Sequence, residues 1–327
     1  ASDVDTSITA TLKVQNTGTR TINIWVDNTY TISNSDLQDL ANAFYSSSNS
    51  NNIYTNITNI YGSEWADTGY GDLIPYSGNI DILLTNLNTN YPGSGYVMGY
   101  FSSGDTFITS ENSRSNLKNM FYLDAKLFSK GVSSMTETAK TYYKTELYST
   151  LAHEFTHMIM WYQKTVKGGG VYPEAWLNEM LAMISEDLMD DKIKVNGVSG
   201  LVEGSKSRLD EYIESHNNDE FNDKIGDYDL NDYAVGATLR LYLTRTYGTS
   251  NLAFLRSIMT SKLTGYNAVE SATGDSMVAI LENFGKAILL SSDSTLNLSK
   301  VTLNKSGSNT LNISTFSRLT NAVSNNS

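Results

Sequence analysis

Apolar and polar residues alternate at 8–14 with the period of two that half-buried strands show, and short β-branched, aromatic or apolar runs follow in the first third of the chain. A turn-like Asn-Thr-Gly at 16–18 separates the first two of these segments. The glycines around the fourth segment indicate that another group approaches its backbone closely. A short helix is also expected at about 35–45. The predicted strands span, in order, 8–14, 21–26, 80–87, 95–101 and 120–123.

The middle of the chain changes to the period of a helix. Apolar residues recur at steps of three and four from 147 to 162, which predicts an amphipathic helix that the glycines at 168–170 end. Pro173 starts a second predicted helix that continues to about Met189. The last residues alternate again and predict short strands or a loosely held tail. Three more helical patterns cover about 233–247, 252–262 and 276–290.

These patterns predict an α+β protein with a mixed β-sheet lobe and a mainly helical lobe. The terminal segments of the chain are candidates to pair with each other in one small sheet. No apolar run approaches the roughly 18 residues that a membrane-spanning helix needs. The expected organisation is an N-terminal β extension at 1–20, a β-rich lobe at 21–167, a helical lobe at 168–290 and a β or irregular tail at 291–327.

Composition and charge exclude several classes of function. The chain has 327 residues, of which 40% are hydrophobic, so it can build a large core. Its net charge of -12 argues against a nucleic-acid-binding protein, which needs a basic surface. The absence of cysteine excludes disulfides, thiolate metal sites and cysteine nucleophiles. A composition rich in Asn, Ser, Thr and Tyr is common in exported bacterial proteins and predicts a secreted or cell-surface protein, expected to be a monomer.

Two of the three histidines lie four residues apart in His-Glu-Phe-Thr-His, at His153 and His157. On a helix, residues at this spacing leave the same face, so both imidazoles can bind one Zn²⁺ ion. Glu154 flanks that position and can accept a proton from the water that zinc activates. A surface helix with two solvated histidines is the alternative interpretation. It is disfavoured because apolar residues surround the motif, where uncommitted imidazoles are costly to bury.

A catalytic zinc ion usually has three protein ligands and one water. Glu179, which follows His157 by 22 positions, is the natural third ligand because the intervening glycines let the second helix return over the first. Its neighbours are apolar, and a buried carboxylate needs a partner or a metal. An exposed glutamate on the helix surface is the alternative.

The motifs His-Glu-Phe-Thr-His at 153–157 and Trp-Leu-Asn-Glu at 176–179 resemble those of the gluzincin clan of zinc peptidases. The chain is similar to the hyicolysin family of secreted bacterial neutral metallopeptidases over about 80–250. The resemblance implies a thermolysin-like catalytic fold with the active-site cleft between the two lobes. It implies His153, His157 and Glu179 as zinc ligands, Glu154 as general base, and a side chain that donates a proton to the oxyanion.

Tyr233 is our candidate for that donor, because Tyr-Ala-Val-Gly-Ala at 233–237 resembles the Tyr-x-x-Gly-Ala helix start of aminopeptidase N-type enzymes. A phenol stays protonated at neutral pH and can hydrogen-bond a developing negative charge. Tyr228 is a weaker candidate. His216 is a competitor, since thermolysin-like enzymes use a histidine for this task, although its polar neighbours suggest an exposed turn.

Two departures from the family patterns matter. Met183 occupies the position where thermolysin-like enzymes place an Asp that orients a zinc histidine, so Asn178, Glu186 and Asp187 remain open as substitutes. The Gly-x-Met-Glu-Asn motif with which aminopeptidase N-type enzymes hold a free amino terminus is missing, and the strand at 95–101 has no glutamate. This favours an endopeptidase. That strand is itself a candidate to bind extended substrate through its edge, or an ordinary sheet strand.

The sequence therefore predicts a zinc endopeptidase that acts on polypeptides. The alternatives are an exopeptidase or another gluzincin hydrolase, and a non-catalytic adhesin or binding module on a peptidase scaffold. The intact Glu154 argues against the last. Ca²⁺ is a second cofactor candidate because Asp67 and Asp72 flank a glycine-containing loop, but no EF-hand spacing supports it.

Overall fold

A computed structural model describes residues 7–87, 97–126, 128–129, 137–190, 194–195, 198–199, 230–248 and 252–289. Two of the predicted site residues, His216 and Tyr228, lie outside these ranges, as does the predicted tail at 291–327.

A five-stranded mixed sheet forms the centre of the described structure. The strands lie in the order β1-β2-β3-β5-β4. β2, β3 and β5 are parallel to one another, whereas β1 and β4 pair antiparallel at the two edges. This mixed sheet agrees with the α+β class expected from the sequence. The strands are β1 (Ala10–Thr17), β2 (Thr21–Asp27), β3 (Asn79–Thr85), β4 (Gly99–Phe101) and β5 (Met120–Asp124), and two short strands, β6 (Lys194–Val195) and β7 (Val198–Ser199), pair separately.

Eight α-helices lie within the described residues. The long helices expected in the middle of the chain are present, and α3 continues into a π-helical turn at Trp161–Val166 before the glycines at 168–170. The helices are α1 (Asn34–Phe44), α2 (Ile53–Tyr61), α3 (Glu137–Met160), α4 (Ala175–Asp190), α5 (Leu230–Tyr247), α6 (Ala253–Thr260), α7 (Gly265–Thr273) and α8 (Met277–Leu289).

The sequence pattern did not predict α2 and α7. Helix α2 is built mainly of Ile, Tyr, Thr and Asn, which have low helix propensity. It forms because Asn52 caps its first turn by accepting a hydrogen bond from the Thr55 amide (2.8 Å) and because its apolar side is buried. Tertiary packing therefore outweighs the local preference of these residues.

The main core lies between one face of the sheet and α1, α2 and α3. Alternate residues of the strands, such as Ile22 and Ile24 in β2, point into it and are fully buried. Phe155 of α3 packs edge-to-face on Phe44 of α1, with ring centroids 5.0 Å apart. This packing fixes the rotation of α3 about its axis, so the face that carries the two histidines turns away from the sheet core and toward α4.

None of the helices in the described part of the chain is long and apolar enough to cross a lipid bilayer.

Candidate metal centre

Helix α3 presents His153 and His157 on one side, with their ring centroids 4.7 Å apart. The opposite positions of the same turns, such as Leu151 and Phe155, are fully buried in the core. Glu154 is only 5% exposed and lies beside the two imidazoles. The helical period alone explains why the apolar residues face the sheet while the titratable ones meet on the other side.

Glu179 of α4 lies opposite the two histidines. Its Oε2 is 3.2 Å from His153 Nε2, and its Oε1 is 3.6 Å from His157 Nε2. One ligand atom from each of the three residues lies within 4.8 Å of the others. Among the described residues, this is the group of imidazoles and carboxylates that can hold a metal ion.

The other nitrogen of each imidazole has its own acceptor. His153 Nδ1 forms a short hydrogen bond with Oε1 of Glu186, and His157 Nδ1 lies 2.9 Å from Oδ1 of Asn178. Both partners belong to α4, and both are among the candidates that the sequence left open. An acceptor at Nδ1 places the proton on that nitrogen and leaves the lone pair on Nε2, where a metal would bind.

These contacts test whether the residues fit a metal ion. In the neutral tautomer with Nδ1 protonated, the Nε2 lone pairs would face the carboxylate oxygens of Glu179. Oε2 of Glu179 is buried and has no hydrogen-bond partner within the described structure. Lone pairs that face each other at about 3 Å repel unless a positive charge lies between them. Two imidazoles and one carboxylate are a donor set that suits zinc, so the residues fit.

The pKa values in the site show the same demand for positive charge. Burial disfavours a charged imidazole, yet Glu186 and Glu179 raise the pKa of His153 well above its usual range. Burial would raise the pKa of Glu179, but the charges of His157 and His153 outweigh it and lower this pKa to about 2. For Glu154, burial raises the pKa, while the two imidazoles oppose the rise.

Tyr233, the predicted oxyanion donor, lies on α5 and donates a hydrogen bond to the Glu179 carboxylate. The structure therefore places the Tyr233 hydroxyl at the candidate metal ligands. Neither the hydrophobic periodicity nor the spacing of the motifs in the sequence predicts this contact. Tyr228 and His216 lie outside the described residues, so the structure offers no comparison between the three candidates.

Asp187, the remaining candidate to orient a histidine, contacts a different residue. Its carboxylate accepts two hydrogen bonds from Arg240 of α5, from Nε at 2.6 Å and from Nη2 at 3.0 Å. Met183, at the position where thermolysin-like enzymes place an Asp, is fully buried in the core. Asn178 and Glu186 are thus the candidates that contact the histidines.

Sequence reasoning missed two residues that help to build the site. Arg240 has a completely buried side chain, and an arginine between Leu239 and Leu241 is a signal of a buried ion pair that the sequence already contained. Thr156, inside the histidine motif, donates to Ser185 Oγ of α4 (2.6 Å) and so joins the two ligand-bearing helices. No local pattern identifies this second contact.

The edge strand β4 runs past the same site. A Cβ atom placed on Gly99 would lie 3.0 Å from Cγ of Glu154 and 2.6 Å from Cγ2 of Thr150. The glycine therefore lets β4 approach α3 at Glu154, as the glycines of this predicted strand indicated.

Comparison with known proteins identifies the family. The family model described as Peptidase M30 matches residues 3–296. The chain belongs to the peptidase M30 family. A segment of 119 residues is 30% identical to the neutral metalloprotease ShpI of Staphylococcus hyicus. This segment covers 35% of this chain and 25% of that protein. The match thus spans about a quarter of the curated relative. Both findings confirm the resemblance to the hyicolysin family of metallopeptidases.

For this peptidase M30 chain, the calcium alternative gains no support. Asp67 and Asp72 are exposed and do not join a group of three metal-ligating side chains within the described residues.

Proposed function

We propose that this protein is a zinc-dependent endopeptidase that hydrolyses internal peptide bonds of polypeptides. The observation that carries the proposal is the meeting of two imidazole Nε2 atoms with the Glu179 carboxylate, beside a buried Glu154, in a member of the peptidase M30 family. His153, His157 and Glu179 would hold the ion. When bound there, zinc polarises the scissile carbonyl and makes water a stronger nucleophile at neutral pH.

The protein's own residues supply the proton transfers. Glu154 accepts the proton of the attacking water and passes it to the nitrogen of the leaving amine. Its position supports this role, since it follows a proposed ligand on α3 and its carboxylate is largely shielded from bulk water. Glu186 and Asn178 keep the imidazoles in the required tautomer.

Tyr233 donates its hydroxyl proton in a hydrogen bond to the oxyanion that develops on the scissile carbonyl. A phenol remains protonated at neutral pH and needs little reorganisation to do so. Its hydrogen bond to Glu179 supports this role, because that contact holds the hydroxyl beside the proposed ligands.

The substrate lies along the free edge of β4 in this proposal. β4 is an edge strand of the described sheet, and an extended peptide can add to such an edge through main-chain hydrogen bonds. The close approach of Gly99 to Glu154 supports it, because a peptide on this edge passes the proposed general base. β4 also lacks a glutamate that would hold a free amino terminus, which favours cleavage within a chain.

We further propose that the protein works as a monomer outside a bacterial cell. Its composition, rich in Asn, Ser, Thr and Tyr, supports this location, and so does its likeness to a staphylococcal neutral metalloprotease.

Hydrolysis of casein by wild type and by Glu154→Ala, with zinc quantified in both, tests the proposed function. We expect internal cleavage by wild type and a fall in rate of about 10²–10⁴-fold in the variant, with about one zinc per chain in both. Glu282→Ala is the matched control, since Glu282 is an exposed glutamate on α8, far along the chain from the site.

Each outcome of this experiment is informative. Release of terminal residues alone would contradict the endopeptidase and indicate an exopeptidase. Zinc without any cleavage would favour a binding module on a peptidase scaffold. A folded, unchelated wild-type protein that holds no zinc would contradict the proposed centre altogether.

A further inference from the structure

The histidine-bearing face of α3 continues into a group of aromatic side chains, two of them half-buried and one exposed. Trp161 follows His157 by four residues, so it lies on the same side of the helix, about 6 Å further along the axis. It begins the π-helical turn that ends α3. Such turns are frequent at functional sites, and here the turn follows the proposed metal ligands directly.

Three aromatic rings from separate segments meet at this end of α3. The Trp161 ring lies 5.9 Å from the Phe107 ring and 6.2 Å from the Tyr172 ring, measured between centroids. Phe107 and Trp161 are half-buried, whereas Tyr172 is 69% exposed. We call Phe107, Trp161 and Tyr172 the aromatic shelf. A large aromatic side chain that remains exposed beside a candidate active site is available for contact with a ligand.

Two rings of the aromatic shelf, those of Trp161 and Phe107, are held in place by hydrogen bonds and by an apolar cluster. Trp161 Nε1 donates to Oγ1 of the fully buried Thr106 (3.2 Å). Two backbone hydrogen bonds fix the segment around Phe107 to the segment 72–74. They run from Ile74 N to Thr106 O (2.8 Å) and from Ile108 N to Asp72 O (2.9 Å). A small apolar cluster packs underneath, formed by Trp65, Leu73, Ile74, Tyr162 and Val166.

Tyr172 is positioned by the turn that leaves the π-helical segment. Gly169 and Gly170 adopt positive φ angles of 82° and 90°, a conformation that glycine adopts without strain. The turn is closed by hydrogen bonds from Gly170 N to Thr165 O (2.7 Å) and from Thr165 Oγ1 to Val171 O (2.9 Å). These bonds fix the backbone that leads to Tyr172, so the backbone loses little conformational entropy when a ligand binds.

The edge strand leads from the proposed general base to the shelf. β4 contacts α3 at Glu154, and the chain then continues through a 3₁₀ turn at Ser103–Thr106 to Phe107, beside Trp161. Glu154 and Trp161 are seven residues apart, or about 10 Å along the helix. An extended peptide covers that distance in about three residues. A substrate on the β4 edge therefore reaches the shelf close to its scissile bond.

We propose that the aromatic shelf is a subsite for an aromatic or other large apolar side chain of the substrate, within about three residues of the scissile bond and on one side of it. This proposal rests on the proposed function, since it assumes that a polypeptide lies along β4. The ring faces offer the offset and edge-to-face contacts that aromatic side chains make with one another.

The test uses Tyr172→Ala, because Tyr172 is exposed and its truncation leaves the core intact. Wild type and variant digest a peptide library, and kcat/KM is measured for a matched pair of peptides with Phe or Ala at the selected position. We expect wild type to prefer Phe by about 5- to 10-fold and Tyr172→Ala to lose most of that preference. Val278→Ala is the control, since Val278 on α8 is also 69% exposed.

A binding measurement separates this inference from the proposed function. The zinc-loaded Glu154→Gln protein is titrated with fluorescein-labelled Phe and Ala peptides, and anisotropy gives both Kd values with and without Tyr172→Ala. Tighter binding of the Phe peptide that depends on Tyr172 supports the subsite even if wild type cleaves nothing. Internal cleavage of casein with no side-chain preference, or a preference that Tyr172→Ala leaves unchanged, would overturn the subsite and leave the endopeptidase in place.

Discussion

At the scale of single residues, the candidate metal centre depends on two side chains that are not ligands. Glu186 and Asn178 each accept a hydrogen bond from the Nδ1 of one histidine. They fix which imidazole nitrogen carries the proton and therefore which one can bind a metal. Glu186 adds a negative charge that Asn178 does not, so its effect on the ligand basicity of His153 is the larger one.

Glu186→Ala should therefore weaken zinc binding by about 10- to 100-fold. Glu186→Gln keeps an acceptor oxygen without the charge and should lie between wild type and Glu186→Ala. Competition with a fluorescent chelator measures the affinity, and far-ultraviolet circular dichroism checks that the variants fold. Equal zinc affinities for Glu186→Ala and wild type would contradict a contribution of Glu186 to zinc binding.

At the scale of helices, one buried ion pair joins α5 to α4. Arg240 is completely buried and binds Asp187 through two parallel hydrogen bonds of 2.6 and 3.0 Å. Arg240 follows Tyr233 by seven residues, two turns along the same face of α5. The pair therefore fixes α5 beside α4 and helps to keep the Tyr233 hydroxyl at Glu179.

Asp187→Ala leaves the charge of Arg240 buried without its carboxylate, and the free energy of unfolding should fall by about 3–5 kcal/mol. Urea unfolding at fixed zinc concentration measures this loss. In the protein that remains folded, kcat should fall more than KM rises, because the proposed role of Tyr233 is to stabilise the developing oxyanion. The single variant Arg240→Lys should not preserve the wild-type stability or kcat, since lysine cannot make the two parallel hydrogen bonds to Asp187. Unfolding curves that coincide with wild type would show that the pair is dispensable.

At the scale of the whole molecule, the proposed metal site joins two helices that are also held together by side-chain packing and by hydrogen bonds such as Thr156–Ser185, His153–Glu186 and His157–Asn178. α3 packs on the sheet, whereas α4 also packs against α5. An ion that binds only the native state stabilises the whole fold by mass action. Stability should therefore depend on zinc even though the core is large.

Removal of zinc with a chelator should lower Tm by several degrees and added zinc should restore it, since a ligand at 100 times its Kd contributes about 2.7 kcal/mol. Differential scanning fluorimetry measures the shift. Glu154→Gln should keep the chelator effect, because Glu154 is not a proposed ligand, whereas Glu179→Ala should lose it. A chelator shift in Glu179→Ala as large as that of wild type would place the ion elsewhere.

Sequence patterns predict many of the helices and strands, and the elements that they miss have a physical explanation. The β-branched and aromatic run at 21–26 and the apolar run at 120–123 predict β2 and β5 correctly, since short runs of this composition suit central strands that are buried on both faces. Helix α2 was missed because its Ile, Thr and Asn residues favour other local structures, and only packing against α3 and α6 makes the helix stable.

The sequence by itself determined the residues that can bind the metal. The four-residue spacing of His153 and His157 places both imidazoles on one helix face, a consequence of helix geometry that needs no tertiary information. The tertiary structure decided which of Asn178, Glu186 and Asp187 contact the histidines. It also decided that β4 passes Glu154 and that Phe107 and Tyr172 meet Trp161. These contacts depend on how helices and strands far apart in the chain pack together, and local periodicity carries no information on that packing.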